Sequence, residues 1–213
     1  LGIDNSIIFA ACLNFFIATL LFCTNSSANT LRIFSGTRWK AVAGCMMGVL
    51  LLALAISIRP EAHRINYVHG IFRHRQMSGK DFEIWEKSRN QSKLLFYEEG
   101  IDANVAVIDE DPADDEFVLL INGKPDGSAV GDMPTQILSG QLPIFFHPAP
   151  RQAMIVGLGT GVTAGTMLTH PEMTVDCVEI STAVGRSAAY FAKQNHNVMQ
   201  NPRFSIHYDD AKS

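Results

Sequence analysis

Apolar residues are unevenly spread along the 213-residue chain. Ile7 to Cys23 is apolar except for Asn14 and Thr19, and Ala41 to Ile58 is interrupted only by Ser57 and glycines. Neither run carries a charge, and each approaches the ~20 residues that a transmembrane helix needs. A buried core helix would show a polar face, which both runs lack. The pattern therefore predicts two transmembrane helices, at 7–23 and 41–58, and an integral membrane protein with the lipid bilayer as a partner. Arg32, Arg38 and Lys40 lie between the runs, and Arg59, Arg64, Arg73 and Arg75 follow the second. Both flanks are basic, so the positive-inside rule assigns no orientation.

Beyond the second run the pattern changes. Residues 59–90 read as a polar connector, helical from Gly79 to Arg89, with Phe82, Ile84 and Trp85 on a partial apolar face. Residues 91–150 read as a small β region plus a helix. Its strand-like runs are Leu94 to Glu98, Ala103 to Ile108 and Phe117 to Ile121. The acidic stretch Asp109 to Glu116 reads as a solvated hairpin loop, and Asn122-Gly123 is a strong turn signal. A helix is predicted from Met133 to Phe146, with Pro134 at its start and Pro143 near its end.

From residue 151 onward strands alternate with helices. The predicted strands are Ala153 to Val156, Thr174 to Val178 and Phe204 to Tyr208, and the helices are Thr160 to Thr169 and Thr182 to Asn195. The first strand, apolar throughout, reads as buried. This alternation predicts a parallel sheet with its ligand at the carboxyl ends of the strands. The expected fold class is thus α/β: transmembrane helices, a small β region, then a Rossmann-like nucleoside-binding domain at 151–213. Three strands make a poor sheet, so the domain is expected to continue beyond Ser213.

Candidate chemistry lies at those carboxyl ends. Gly157, Gly159 and Gly161 follow the first strand, Glu179 ends the second, and Asp209-Asp210 follow the third. Small residues let the backbone approach a ligand closely. A dinucleotide fingerprint places its third glycine five residues after the first, where this chain has Val162. The G-x-G-x-G spacing fits an S-adenosylmethionine-type nucleoside, which has no pyrophosphate. An acid at the tip of the second strand can accept hydrogen bonds from both ribose hydroxyls.

Composition removes several other functions. With 17 basic and 21 acidic residues and a net charge of −4, the chain is a poor nucleic-acid binder. Cys12, Cys23, Cys45 and Cys177 show no C-x-x-C spacing, so neither a disulfide nor a metal framework is expected. His63, His69 and His74 lack acidic or cysteine ligands at zinc-site spacing, and no metal is expected.

Residues from about 94 to 213 resemble the spermidine synthases. The resemblance runs through the helix ending Gln141-Leu-Pro143, the glycine loop, Val178-Glu-Ile180, Asn201-Pro-Arg203 and Asp209-Asp210. Asn122-Gly-Lys124, Gly157 to Gly165 and the upstream apolar runs are most similar to the membrane-bound, spermidine synthase-like proteins. The resemblance implies transfer of an aminopropyl group from decarboxylated S-adenosylmethionine to a polyamine such as putrescine. It implies cofactor-binding positions at Gly157, Gly159, Thr160, Gly161, Glu179, Ile180, Asp209 and Asp210, and a substrate-binding position at Gln136. It also implies a bacterial inner-membrane location with the nucleoside domain in the cytoplasm, where such cofactors are made.

The chain departs from the soluble synthases at three places. Thr160 stands where they carry an aspartate, Thr135-Gln136 stands where they carry Tyr-His, and Ala211 stands where they carry a glycine. Their catalytic aspartate follows a fourth strand, so its counterpart is expected beyond Ser213. Two alternatives stay open. One is a methyltransferase using intact S-adenosylmethionine, which a neutral Thr160 would tolerate. The other is a non-catalytic membrane subunit that keeps a Rossmann-like scaffold. A homo-oligomer or a membrane-complex subunit stays open as well.

Overall fold

The computed structural model describes residues 3–24, 47, 48, 65, 68, 79–111, 113 and 115–212. The chain divides into two compact units, Leu1–His63 and Arg64–Ser213.

In the first unit the leading apolar run forms helix α1, Ile3–Thr24. Among the described residues, however, no helix is long and apolar enough to cross a membrane. This overturns the transmembrane part of the expected fold class and the integral-membrane location that rested on it. The physical reason lies in length. The apolar run of α1, Ile7 to Cys23, extends about 25 Å at 1.5 Å per residue. A bilayer's hydrocarbon core is about 30 Å thick. The second expected span, 41–58, lies outside the described residues except for Met47 and Gly48.

In the second unit the first element with described bounds is helix α2, Gly79–Gln91. Phe82 lies beside Trp85 with ring centroids 5.7 Å apart, and the Arg89 guanidinium sits 5.1 Å over the Trp85 ring. Four antiparallel strands follow: β1 Lys93–Glu99, β2 Asn104–Asp109, β3 Phe117–Ile121 and β4 Lys124–Ser128, in the spatial order β1-β2-β3-β4. Asn122 and Gly123 both have positive φ, 50° and 72°, as a tight hairpin between β3 and β4 requires. β4 contains Pro125 and Gly127 and carries no strand signal. It forms because Pro125 is tolerable on an edge strand, where the missing N–H faces no partner.

Helix α3, Met133–Phe146, carries Pro134 in its first turn and accommodates Pro143 in its last. Three parallel strands come next: β5 Gln152–Val156, β6 Thr174–Glu179 and β7 Phe204–Tyr208, in the order β5-β6-β7. Helix α4, Val162–Met167, starts two residues later than expected because Gly161 occupies its cap at φ +81°. Helix α5, Thr182–Ser187, is far shorter than the expected Thr182–Asn195 and tightens into a 3₁₀ turn at Ala188–Phe191. The Ser187 hydroxyl donates to the Val184 carbonyl at 2.8 Å and so competes with the helical ladder.

The two sheets share one core. Val105, Val107 and Leu119 of the antiparallel sheet pack with Leu158, Cys177, Ala183, Val184, Ala188 and Phe191. The opposite face of β2 and β3 (Ala106, Ile108, Val118 and Leu120) packs with Val68 in a second cluster. At the surface, Arg186 of α5 donates to both carboxylate oxygens of Glu98 on β1, and the Tyr190 hydroxyl donates to the Leu95 carbonyl at 3.1 Å. These contacts fasten β1 to the helical turn that follows β6.

The reading of β5 as a buried strand is corrected. Met154 and Val156 are 70% and 66% exposed, while Ile155 between them packs into the core. The strand alternates because the described helices cover one face of the parallel sheet, with Ile144 of α3, Ala164 and Met167 of α4, and Ala183 and Val184 of α5 packed on that side.

Candidate functional site

The carboxyl ends of β5, β6 and β7 meet at one edge of the second unit. Gly157, Gly159 and Gly161 have φ of +87°, +57° and +81°, a region that L side chains rarely adopt. A Cβ added at Gly157 or Gly159 would meet nothing within 4 Å, so these two glycines serve conformation and leave open space beside the backbone. At Gly161 a Cβ would lie 2.9 Å from Val198 Cγ1 and 3.1 Å from Asn195 Nδ2, so packing demands glycine there too. The Gly157 N–H donates to the Val178 carbonyl at 2.8 Å, which continues the parallel ladder one step into the loop.

Glu179 ends β6 and is only 6% exposed. Burying a carboxylate is costly unless it is hydrogen-bonded, and here both oxygens are. Oε2 accepts the Leu158 N–H at 2.8 Å, and Oε1 accepts the Ser181 N–H at 2.9 Å. One acid therefore ties the glycine loop to the start of α5. A carboxylate offers about four lone-pair sites, so roughly two remain for further donors. Ser181 caps α5 with its hydroxyl, which accepts the Val184 N–H at 3.4 Å.

The Asp209 N–H donates to the Glu179 carbonyl at 3.2 Å, which brings the end of β7 beside Glu179. Asp209 and Asp210 are exposed, and each accepts a backbone N–H, from Asp210 at 2.8 Å and from Lys212 at 3.1 Å. Ile180 is exposed next to Glu179. Gly157, Gly159, Gly161, Glu179, Ile180, Asp209 and Asp210 thus all lie at this end of the parallel sheet.

Thr160 and Gln136 are brought together, but inward. Thr160 is 3% exposed, and its hydroxyl donates to Gln136 Oε1. The Gln136 amide in turn donates to the Ser128 carbonyl at 2.9 Å. A Cβ at Gly127 would lie 2.9 Å from Thr160 Cγ2. The pair seats the glycine loop on β4 and spends its polar groups within the fold. Thr160 also accepts the Val162 N–H, at a long 3.4 Å, although the cap residue of α4 is Gly161.

Two groups beside Glu179 are held neutral. Burial, reinforced by the Glu179 charge, pushes the Cys177 thiol up to about 11. Burial also lifts the Tyr208 phenol above its ordinary value, with Arg186 opposing and Glu179 adding to the rise. Tyr208 lies so close over Gly185 that a Cβ there would fall 2.0 Å from its hydroxyl oxygen. Among the described residues, no group of three or more His, Cys, Asp or Glu side chains could hold a metal ion.

Sequence reading missed two residues that build this site and one that braces the opposite end of the parallel sheet. Asn195 reaches the glycine loop from the chain ahead of β7 and is only 1% exposed. Ser181 supplies an N–H to Glu179. Arg203 donates to the carbonyls of Leu168, His170, Pro171 and Met173 and so clamps the turn between α4 and β6. Of these, only Arg203 carried a signal, within the Asn201-Pro-Arg203 motif.

No protein-family model matches the chain, and no curated protein matches it in sequence. Solved structures do. The spermidine synthase from Thermotoga maritima aligns with a TM-score of 0.51 and 18% identity, over 55% of this chain and 42% of its own. A spermidine synthase in complex with the transition state analogue AdoDATO aligns with a TM-score of 0.50 and 19% identity, over 55% of this chain and 40% of its own. The fold is spermidine synthase-like. This chain spans less than half the length of either structure.

Proposed function

We propose that this chain provides the nucleoside site of a spermidine synthase-like transferase, which moves an aminopropyl group from decarboxylated S-adenosylmethionine to a polyamine such as putrescine. In that reaction a neutral amine nitrogen attacks the carbon beside the sulfonium. The carbon–sulfur bond breaks, methylthioadenosine leaves, and the amine proton passes to a base. The open backbone at Gly157 and Gly159 would accommodate the adenosine, with Ile180 against the base. Asp210 would accept from the adenine amino group, and Glu179 from the ribose hydroxyls.

One observation carries this reading. Glu179 is buried, already oriented by two backbone N–H groups, and keeps acceptor capacity beside a loop that leaves space open. A carboxylate held this way needs no reorganisation to receive a diol. The likeness to a synthase bound to AdoDATO supports the same assignment.

The test is calorimetry with methylthioadenosine. The wild-type chain is expected to bind, and Glu179→Ala to weaken binding by at least about 1.5–3 kcal/mol, the worth of a charge-assisted hydrogen bond. Equal affinity in the two proteins, or no binding to the wild type, contradicts the proposal. A second reading, methyl transfer from intact S-adenosylmethionine, rests on the neutral Thr160 in the glycine loop, which sets no carboxylate against the one that this ligand bears. Tighter binding of S-adenosylmethionine than of its decarboxylated form would select that reading.

A further inference from the structure

The glycine loop is also held from its buried side. Asn195 is 1% exposed, and its side chain uses its hydrogen-bonding capacity in three directions. Nδ2 donates to the Thr160 carbonyl at 2.9 Å and to the Ala188 carbonyl at 2.8 Å, and Oδ1 accepts the Val198 N–H at 3.3 Å. One amide therefore joins the glycine loop, the 3₁₀ turn after α5, and a second 3₁₀ turn, Val198–Gln200.

Packing leaves this arrangement little slack. A Cβ at Gly165 would lie 2.0 Å from the Asn195 carbonyl oxygen, so α4 rests directly on the Asn195 backbone. The next two residues, His196 and Asn197, both have positive φ, 56° and 53°. Consecutive non-glycine residues in that region persist only where their surroundings over-determine them. Here the turn they make delivers the Asn195 amide to the loop.

We infer that Asn195 is a positioning residue for the nucleoside site, fixing the glycine loop through the Thr160 carbonyl without touching the ligand. The inference rests on the nucleoside reading above. Thr160 lies between Gly159 and Gly161 and is pinned at both ends, its carbonyl by Asn195 and its hydroxyl by Gln136. Holding Thr160 sets the backbone on either side of it. Without the amide, the loop would keep its glycines and lose its registration with Glu179.

The test compares Asn195→Asp with a destabilised control, Ile108→Ala, which opens the cluster on the far face of the antiparallel sheet. Aspartate keeps the size of the side chain and an acceptor for the Val198 N–H. It replaces both donors with a carboxylate oxygen facing two carbonyls. Each full-length protein is measured for Tm, methylthioadenosine affinity, and amide exchange at Leu158 and Gly161. Asn195→Asp is expected to weaken binding about tenfold to a hundredfold, the scale of a small misplacement in a site. It is also expected to speed exchange in the loop, whereas Ile108→Ala shows neither change. Wild-type affinity and exchange in Asn195→Asp would overturn the inference. So would an equal loss of affinity in the control at an equal loss of Tm. Should Asn195→Asp fail to fold, Asn195→Ser takes its place and is read in the same way. If the wild type binds no methylthioadenosine, the exchange measurement decides. Faster exchange in the Asn195 variant alone would keep its hold on the loop and remove only the nucleoside reading, and no difference would overturn both.

Discussion

The antiparallel and parallel sheets divide their labour in the reverse of the usual way. Antiparallel sheets commonly expose one face, and parallel sheets are usually covered on both. Here β2 and β3 are buried on both faces, one in the shared core and the other in the cluster with Val68. Among the described residues, the parallel sheet is covered on one face only, and β5 exposes Met154 and Val156. The antiparallel sheet is therefore the mechanical base of the second unit. The parallel sheet contributes the edge where we propose binding, with its loop hung from Glu179, Asn195 and the Gln136–Thr160 pair. Stability and ligand recognition should then respond to different substitutions.

The largest effect is expected at Leu119, fully buried in β3 where the two sheets meet. Leu119→Ala should cost about 2–5 kcal/mol by urea unfolding, the range for large-to-small core changes. A cost below 1 kcal/mol would break the claim that the antiparallel sheet is the base. Gly165→Ala comes next. Its Cβ would fall within 2.0 Å of a backbone oxygen that cannot easily move, so about 1–3 kcal/mol or more is expected from overpacking.

A pH effect follows, from Cys177. Its native thiol is raised from 9.0 to about 11. Between those values the unfolded chain loses the proton and the native one keeps it. The contribution is therefore fully present below pH 9 and is lost as pH rises toward 11, by at most about 2.7 kcal/mol. Unfolding curves at pH 8 and 10.5 should show the wild type losing more stability than Cys177→Ser. A larger loss in Cys177→Ser would contradict the assignment. The smallest effect is expected for Met154→Ser, within about 0.5 kcal/mol, because that side chain stands on the open face of β5.

Much of the second unit is legible in the sequence because its signals are local. The glycine spacing, the acid ending the second strand and the Asn122-Gly123 turn depend on a few adjacent residues. What escapes depends on neighbours distant in sequence. Lys124-Pro-Asp-Gly-Ser128 has a poor strand composition and pairs only because β3 presents an edge. Thr160 and Gln136, separated by 24 positions, gave no sign that they would bond each other rather than a ligand. Asn195 looked like the end of a helix, yet its amide spans 35 positions to the glycine loop. The apolar run of β5 carried no record of which faces would be covered. The transmembrane reading failed differently: the first run does form helix α1, but its apolar stretch is shorter than the hydrocarbon core of a bilayer.

The central claim is that a nucleoside binds at the carboxyl edge of the parallel sheet and leaves the antiparallel sheet undisturbed. The most direct measurement is a map of backbone amide chemical shifts as methylthioadenosine is added to the wild-type protein. The account predicts large shifts at Gly157 to Gly161, Glu179, Ile180 and Asp209 to Ala211, and none beyond noise in the two-face-buried interior of β2 and β3. Shifts centred on the antiparallel sheet, or no shifts at saturating ligand, would contradict it.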